Sequence, residues 1–180
     1  MRRQELAHVL RAACDVVGDR NVLVIGSQSI LGTYDEDVLP SEATASIEVD
    51  IAFLDDLDRK KADYVEGAIG ELSAFHQMNG VYAEGVHIET ATYLPSGWRD
   101  RLITWTLRSS EPAEPRFLER HDLAIAKLGA AREKDLRFVD ALINAHLLDV
   151  TVLRERNDML PDEHRAVRTR IARHLASYSE

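Results

Sequence analysis

Between Ser46 and Phe53 the chain alternates polar and apolar residues with a period of two: Ser46-Ile47-Glu48-Val49-Asp50-Ile51-Ala52-Phe53. That period is the repeat of a β-strand, so Ile47, Val49, Ile51 and Phe53 are predicted to face a core and Glu48 and Asp50 the other side. A strand with one apolar face needs sheet neighbours and a covering layer. Val22-Leu23-Val24-Ile25 is apolar throughout, as a strand covered on both faces is, and it stops at Gly26-Ser27. Ahead of it, Leu6, Val9, Leu10, Ala13 and Val17 recur at helical spacing over residues 4–17, and Gly18-Asp19-Arg20-Asn21 reads as a turn.

After Gly26-Ser27 a short helix is expected over 28–31, then an exposed loop over 32–44 carrying Asp35-Glu36-Asp37 and Pro40. Residues 55–77 read as one long helix with Tyr64, Ile69, Leu72 and Phe75 toward the core. Strands are expected at 81–83 and 86–93, separated by Glu84-Gly85, and again at 102–107. A linker at 112–115 precedes helices at 118–131, 135–148 and 161–177. This order predicts an α/β (α+β) fold, a small mixed sheet flanked by helices. Residues 1–115 would form the core and 116–180 a helical region packed on it as one compact unit.

With 45% hydrophobic residues among 180, such a core needs no disulfide or metal staple. The one cysteine, Cys14, lies in the apolar stripe of the first helix and reads as a small buried hydrophobe, which suits a reducing cytoplasm. Met1-Arg2-Arg3-Gln4-Glu5 leads into an amphipathic helix rather than a signal peptide, and no apolar run is long enough to cross a bilayer. A cytoplasmic protein without membrane contact is expected.

Glu48 and Asp50 carry the clearest chemical signal. Two carboxylates fixed side by side on a rigid strand repel each other, and sharing a divalent cation such as Mg²⁺ or Mn²⁺ relieves that repulsion. A solvent-facing strand also carries two acids without any such role. Gly26-Ser27 ends a strand and opens a helix, where glycine lets a phosphate approach the backbone and Ser27 offers a hydroxyl. It also reads as a plain turn with Ser27 as the helix cap. Lys127 interrupts an apolar run, Ala124-Ile125-Ala126 before it and Leu128 after, so it either snorkels to solvent or meets an anion.

Taken together, Val24-Ile25-Gly26-Ser27 followed by Glu48-Val49-Asp50-Ile51 resembles the nucleotidyltransferase superfamily. The resemblance implies a Gly-Ser that holds the β/γ phosphates of a nucleoside triphosphate and two carboxylates that bind metal. The chain departs from the usual pattern in having Glu as the first acid and a longer spacing from Ser27. The segment Asp122–Asp135, with Lys127, Arg132, Lys134 and Asp135, is similar to one in bacterial nucleotidyltransferases related to the abortive-infection toxins of type IV toxin–antitoxin systems. That likeness implies that Lys127 and Arg132 contact triphosphate and that Asp135 orients the site. Asp135 reads equally well as the cap of a helix beginning at Leu136. The implied activity is transfer of a nucleotidyl group from NTP to an acceptor. The acceptor would be a tRNA 3′ end with an antitoxin protein as partner, or else a small molecule or a protein. The same fold kept as a non-catalytic binding module is the rival.

Three further features stay open at this point. Glu89 is the candidate for a third carboxylate, or a surface acid. Trp98 with Arg99 and Arg101 forms a base-stacking and phosphate-holding group, or a structural corner. Arg99, Arg101, Arg108, Lys127, Arg132, Lys134 and Arg137 all follow residue 98, but the net charge of −9 opposes wholesale nucleic-acid binding. His121, His164 and His174 show no metal spacing, and neither a nucleophile elbow nor a Walker-type lysine motif is present.

Overall fold

The structure, a computed structural model, describes residues 1–105 and 107–178. Helix α1 (Arg3–Val17) buries Leu6, Val9, Leu10 and Ala13 on one face, as their spacing requires, and ends on Gly18 with φ of 71°. Strand β1 (Leu23–Val24) is wholly buried and leads through Gly26 into a 3₁₀ helix at Ser27–Gly32. The following loop is less open than its composition suggests. It holds a 3₁₀ turn at Glu36–Val38 and the short α2 (Ser41–Thr44), which buries Ala43.

Strand β2 (Glu48–Ala52) alternates half-buried Glu48 and Asp50 with buried Val49 and Ile51. Ile47 precedes the strand and is 48% exposed, so the expected core face begins only at Val49. The helix expected over 55–77 is two, α3 (Lys60–Ile69) and α4 (Ala74–Asn79), parted by Gly70 and by Leu72 at a φ of 63°. A left-handed residue cannot continue a right-handed helix. The break turns Leu72 to solvent, and Tyr64 is exposed as well.

Strand β3 (Tyr82–Gly85) includes the Glu84-Gly85 expected to separate two strands. The alternating stretch at 86–93 is instead a 3₁₀ turn, Ile88–Thr90, with flanking loop. Of the strand expected over 102–107, β4 covers Ile103–Thr104 and residue 106 lies outside the described residues; the presumed linker runs into β5 (Arg116–Phe117). The five strands form one mixed sheet in the order β3-β2-β1-β5-β4. β2 runs parallel to β3 and antiparallel to β1, while β5 lies parallel to β1 and antiparallel to β4. The α/β expectation of a small mixed sheet flanked by helices therefore holds.

Four helices follow: α5 (Arg120–Ala130), α6 (Glu133–Asn144), α7 (Val150–Asp158) and α8 (Arg165–Leu175). Sequence periodicity did not separate α7, whose mean character is polar and which buries only Leu153 and Asn157. Helix α5 packs against α6, α7 and α8 and also touches the 3₁₀ helix after β1. One apolar cluster runs from α1 through the sheet to α8 and includes the unpaired Cys14. Among the described residues no helix is long and apolar enough to cross a membrane.

Candidate active site

The site forms where β1 and β2 lie antiparallel and α5 crosses their ends. The Ile25 N–H donates to the Asp50 carbonyl at 3.2 Å, tying the end of β1 to the residue that carries the central carboxylate. That carboxylate lies against Gly26, where a β-carbon would stand 1.5 Å from Asp50 Oδ2. Only glycine leaves the space, so Gly26 sets how closely the acid approaches the Gly-Ser turn. Gly26, not Ser27, is the N-cap of the 3₁₀ helix, and no group among the described residues hydrogen-bonds the Ser27 hydroxyl.

The parallel register of β2 and β3 brings in residues that the sequence did not flag. Tyr82 lies opposite Glu48 and Glu84 opposite Asp50. The Tyr82 hydroxyl donates to Glu48 Oε2 at 3.1 Å, while Lys134 Nζ stands 3.7 Å from Glu48 Oε1. Burial pushes the Asp50 carboxyl above the usual carboxylate range, and the neighbouring Glu48 charge adds to the effect. Glu84 is pushed up in the same way, by burial first and then by Asp50 and Glu48. Tyr82 rises to about 12, from burial and the Glu48 charge.

Opposite these acids, α5 and the start of α6 supply cations. Lys127 is only 9% exposed and donates to Asp135 Oδ1 at 3.0 Å, so the anion demanded by its apolar surroundings lies within the chain. Arg132 Nε donates to Asp135 Oδ2 at 2.6 Å. Asp135 is fully buried in the first turn of α6, whose N-cap is Arg132, so its carboxylate holds these two cations rather than capping the helix. Burial drives the Lys127 ammonium below its ordinary value, against the pull of Asp135 and Asp50. Burial also pushes Asp135 up, but the hydrogen bonds and charges of Arg132 and Lys127 outweigh it and hold the carboxyl low.

Gly26, Ser27, Glu48, Asp50, Lys127 and Arg132 all line one cavity of about 420 Å³, with Glu84 and Lys134. Asp135 does not reach it but lines a neighbouring cavity of about 340 Å³, which shares Ser27, Glu48, Lys127 and Lys134. Carboxylates thus lie on the sheet wall and ammonium and guanidinium groups on the helix wall.

The family model described as a nucleotidyltransferase of unknown function (DUF6036) matches residues 4–174. The chain belongs to this nucleotidyltransferase family. Searches of curated proteins and of solved structures return no match.

In this nucleotidyltransferase-family chain the hard oxygen donors of Glu48 and Asp50 suit Mg²⁺ or Mn²⁺, and a cation between them would relieve the repulsion that adds to the burial of Asp50. Among the described residues no three His, Cys, Asp or Glu side chains gather as a metal cage. Two carboxylates nonetheless match the sparse protein donor set of Mg²⁺, which is usually completed by substrate phosphates and water.

Other candidates lie apart. Glu89 is exposed in the 88–90 turn and lines neither cavity, and Glu84 is the acid beside Asp50. The Arg99 guanidinium sits 5.4 Å from the centre of the Trp98 ring, and neither residue lines the cavities. Arg101 grips buried Asp122 with Nε–Oδ2 and Nη2–Oδ1 distances of 2.8 and 3.0 Å, so this region is a structural corner. Buried His121 accepts the Asp149 N–H at Nε2 and meets Glu119 through Nδ1, a structural tie. The missed Tyr82 and Glu84 carry no motif of their own, since only strand pairing brings them to the acids.

Proposed function

We propose that this chain transfers a nucleotidyl group from a nucleoside triphosphate to an acceptor hydroxyl and releases pyrophosphate. The observation that carries the reading is the Asp50 carboxylate, held on a rigid strand beside Glu48, fitted against Gly26 and facing a cation-bearing wall. Glu48 and Asp50 would hold Mg²⁺ or Mn²⁺, which when bound neutralises triphosphate oxygens during in-line transfer. Gly26 and Ser27 would take the β/γ phosphates through backbone N–H and hydroxyl donors. Lys127 and Arg132 would supply positive charge, and Asp135 fixes where both cations stand. Glu84, which lies opposite Asp50 and lines the cavity, is the group proposed to accept the proton of the incoming hydroxyl.

The acceptor proposed is the 3′ end of a tRNA in the cytoplasm, on the likeness of the 122–135 segment to the abortive-infection nucleotidyltransferases. A cognate antitoxin protein would then restrain the enzyme. A second reading, a nucleotide-binding module without transfer, is favoured by the lack of a three-ligand cluster among the described residues. Incubation with total tRNA, Mg²⁺ and each α-³²P-labelled NTP separates the two. Label on tRNA that disappears with Asp50→Asn supports transfer to tRNA. Label that appears instead on a small-molecule or protein acceptor keeps the reaction and replaces the acceptor. Binding of Mg²⁺–NTP with no labelled product from any of these favours the module.

A further inference from the structure

The two carboxylates of β2 are not held alike. Asp50 is fitted against Gly26, whose missing β-carbon leaves it just enough room. Glu48 has one more rotatable bond, and its side chain keeps 30% of its surface exposed, so its own packing does not fix a rotamer. Glutamate is among the side chains with most rotamer freedom to lose when it is ordered. A carboxylate that has to meet a cation in one orientation binds it more weakly if that freedom is lost only on binding.

The two Glu48 oxygens meet different groups. Tyr82 lies directly opposite on β3, and its hydroxyl donates to Oε2 at 3.1 Å. Lys134 Nζ stands 3.7 Å from Oε1, beyond hydrogen-bond length, on a side chain that is mostly exposed. Among the described residues Tyr82 is therefore the one hydrogen-bond donor to this carboxylate.

Tyr82 is itself braced from α4. Its ring meets the His76 imidazole with centroids 4.6 Å apart and planes at 42°. His76 Nδ1 accepts the Leu72 N–H at 3.1 Å, and the His76 backbone N–H donates to Oγ of Ser73, the cap of α4, at 3.1 Å. Leu72 reaches its bond from the left-handed conformation, φ 63°, with its side chain turned to solvent. A β-carbon makes that conformation costly, and the exposed side chain returns little packing for it. What the conformation does bring is the backbone bond that fixes the imidazole against Tyr82.

We infer that Tyr82 is a positioning residue: its hydroxyl holds Oε2 so that the Glu48 carboxylate meets a divalent cation already oriented. This rests on the reading of Glu48 as a metal ligand given above. A hydroxyl behind a carboxylate ligand fixes its rotamer without adding charge to the site, and loss of such a supporting group commonly costs about 10- to 100-fold in metal affinity.

Calorimetric titration of the full chain with ATP, in Mg²⁺ and in EDTA, tests the inference. The wild type is expected to bind ATP more tightly in Mg²⁺. Tyr82→Phe removes only the hydroxyl and should cut that Mg²⁺ gain about tenfold, while ATP affinity in EDTA stays at the wild-type value. A Mg²⁺ gain that survives Tyr82→Phe in full overturns the positioning role and leaves the metal-ligand reading standing. Equal weakening of ATP in Mg²⁺ and in EDTA also overturns it, because Tyr82 would then support the sheet edge rather than the ligand. No Mg²⁺ gain in the wild type overturns the metal-ligand reading and the inference together.

Discussion

Asp50 stands where its own charge is unfavourable, half-buried beside Glu48 and opposite Glu84. Its folded-state pKa lies above that of the unfolded chain. Between those two values the folded protein holds a proton that the unfolded one has released, so stability falls as pH rises through that window. Above the window the full penalty is present. Asp50→Asn keeps the shape and removes the charge, so thermal denaturation without divalent metal at pH 7.5 should give a higher Tm than wild type. The gain should shrink as pH falls below the folded-state pKa. A Tm at pH 7.5 equal to or below wild type would mean that the carboxylate is not held against its electrostatic preference. At this scale the sequence was informative where chemistry repeats along one strand: Glu48 and Asp50 follow from alternation, and Gly26-Ser27 from the end of an apolar run. Tyr82 and Glu84 could not be read, because their relation to Glu48 and Asp50 depends on strand register, and Lys134 was legible only as part of the 122–135 segment, its approach to Glu48 depending on α6.

The turn between α5 and α6 is the element that assembles the cationic wall. Ala131 caps α5 in the left-handed conformation, φ 54°, and the chain reverses there so that Asp135 returns to Lys127. A residue with a β-carbon is strained in that conformation by about 1–2 kcal/mol, and glycine relieves the strain at some entropic cost. Ala131→Gly is therefore expected to stabilise the protein by up to about 1 kcal/mol in urea denaturation, and a destabilised variant would contradict this account of the turn. The longer amphipathic helices were readable because their buried faces repeat, as in α1 with Leu6, Val9, Leu10 and Ala13. The short strands were not. Arg116–Phe117 has two residues and follows Pro112 and Pro115, yet it pairs with β1 and β4 because Phe117 stacks on Trp105, with ring centroids 4.9 Å apart, beneath Gly32. Residues 86–93 alternate as a strand would, but they fold across α5, where Gly129 receives Tyr93. Tertiary packing overrode local pattern there.

Across the whole molecule the helical half is tied to the sheet-side loops through Asp122. Arg101 from the 98–101 turn grips its carboxylate, and Arg156 Nε from α7 lies 3.2 Å away. Asp122→Ala would take the carboxylate from both guanidinium groups, leaving Arg101 its bonds to the Ser96 carbonyl. Each keeps about a fifth of its side-chain surface exposed, at 19% and 21%, so a loss of about 3 kcal/mol, the low end for breaking a buried pair, is expected in urea denaturation. A loss under about 1 kcal/mol would show that Asp122 is not what ties the halves together. The net charge of −9 makes the cationic wall a local feature of an acidic surface, so the proposed polyanionic substrate would meet the chain at the cavity. The central claim, that Glu48 and Asp50 present a metal-bound nucleotide to that wall, is met most directly by measuring ATP affinity with Mg²⁺ and with EDTA, for wild type and Asp50→Asn. The account expects Mg²⁺ to strengthen ATP binding to the wild type at least tenfold and Asp50→Asn to lose that gain. Affinity that ignores Mg²⁺ in the wild type, or a Mg²⁺ gain that survives Asp50→Asn, would contradict it.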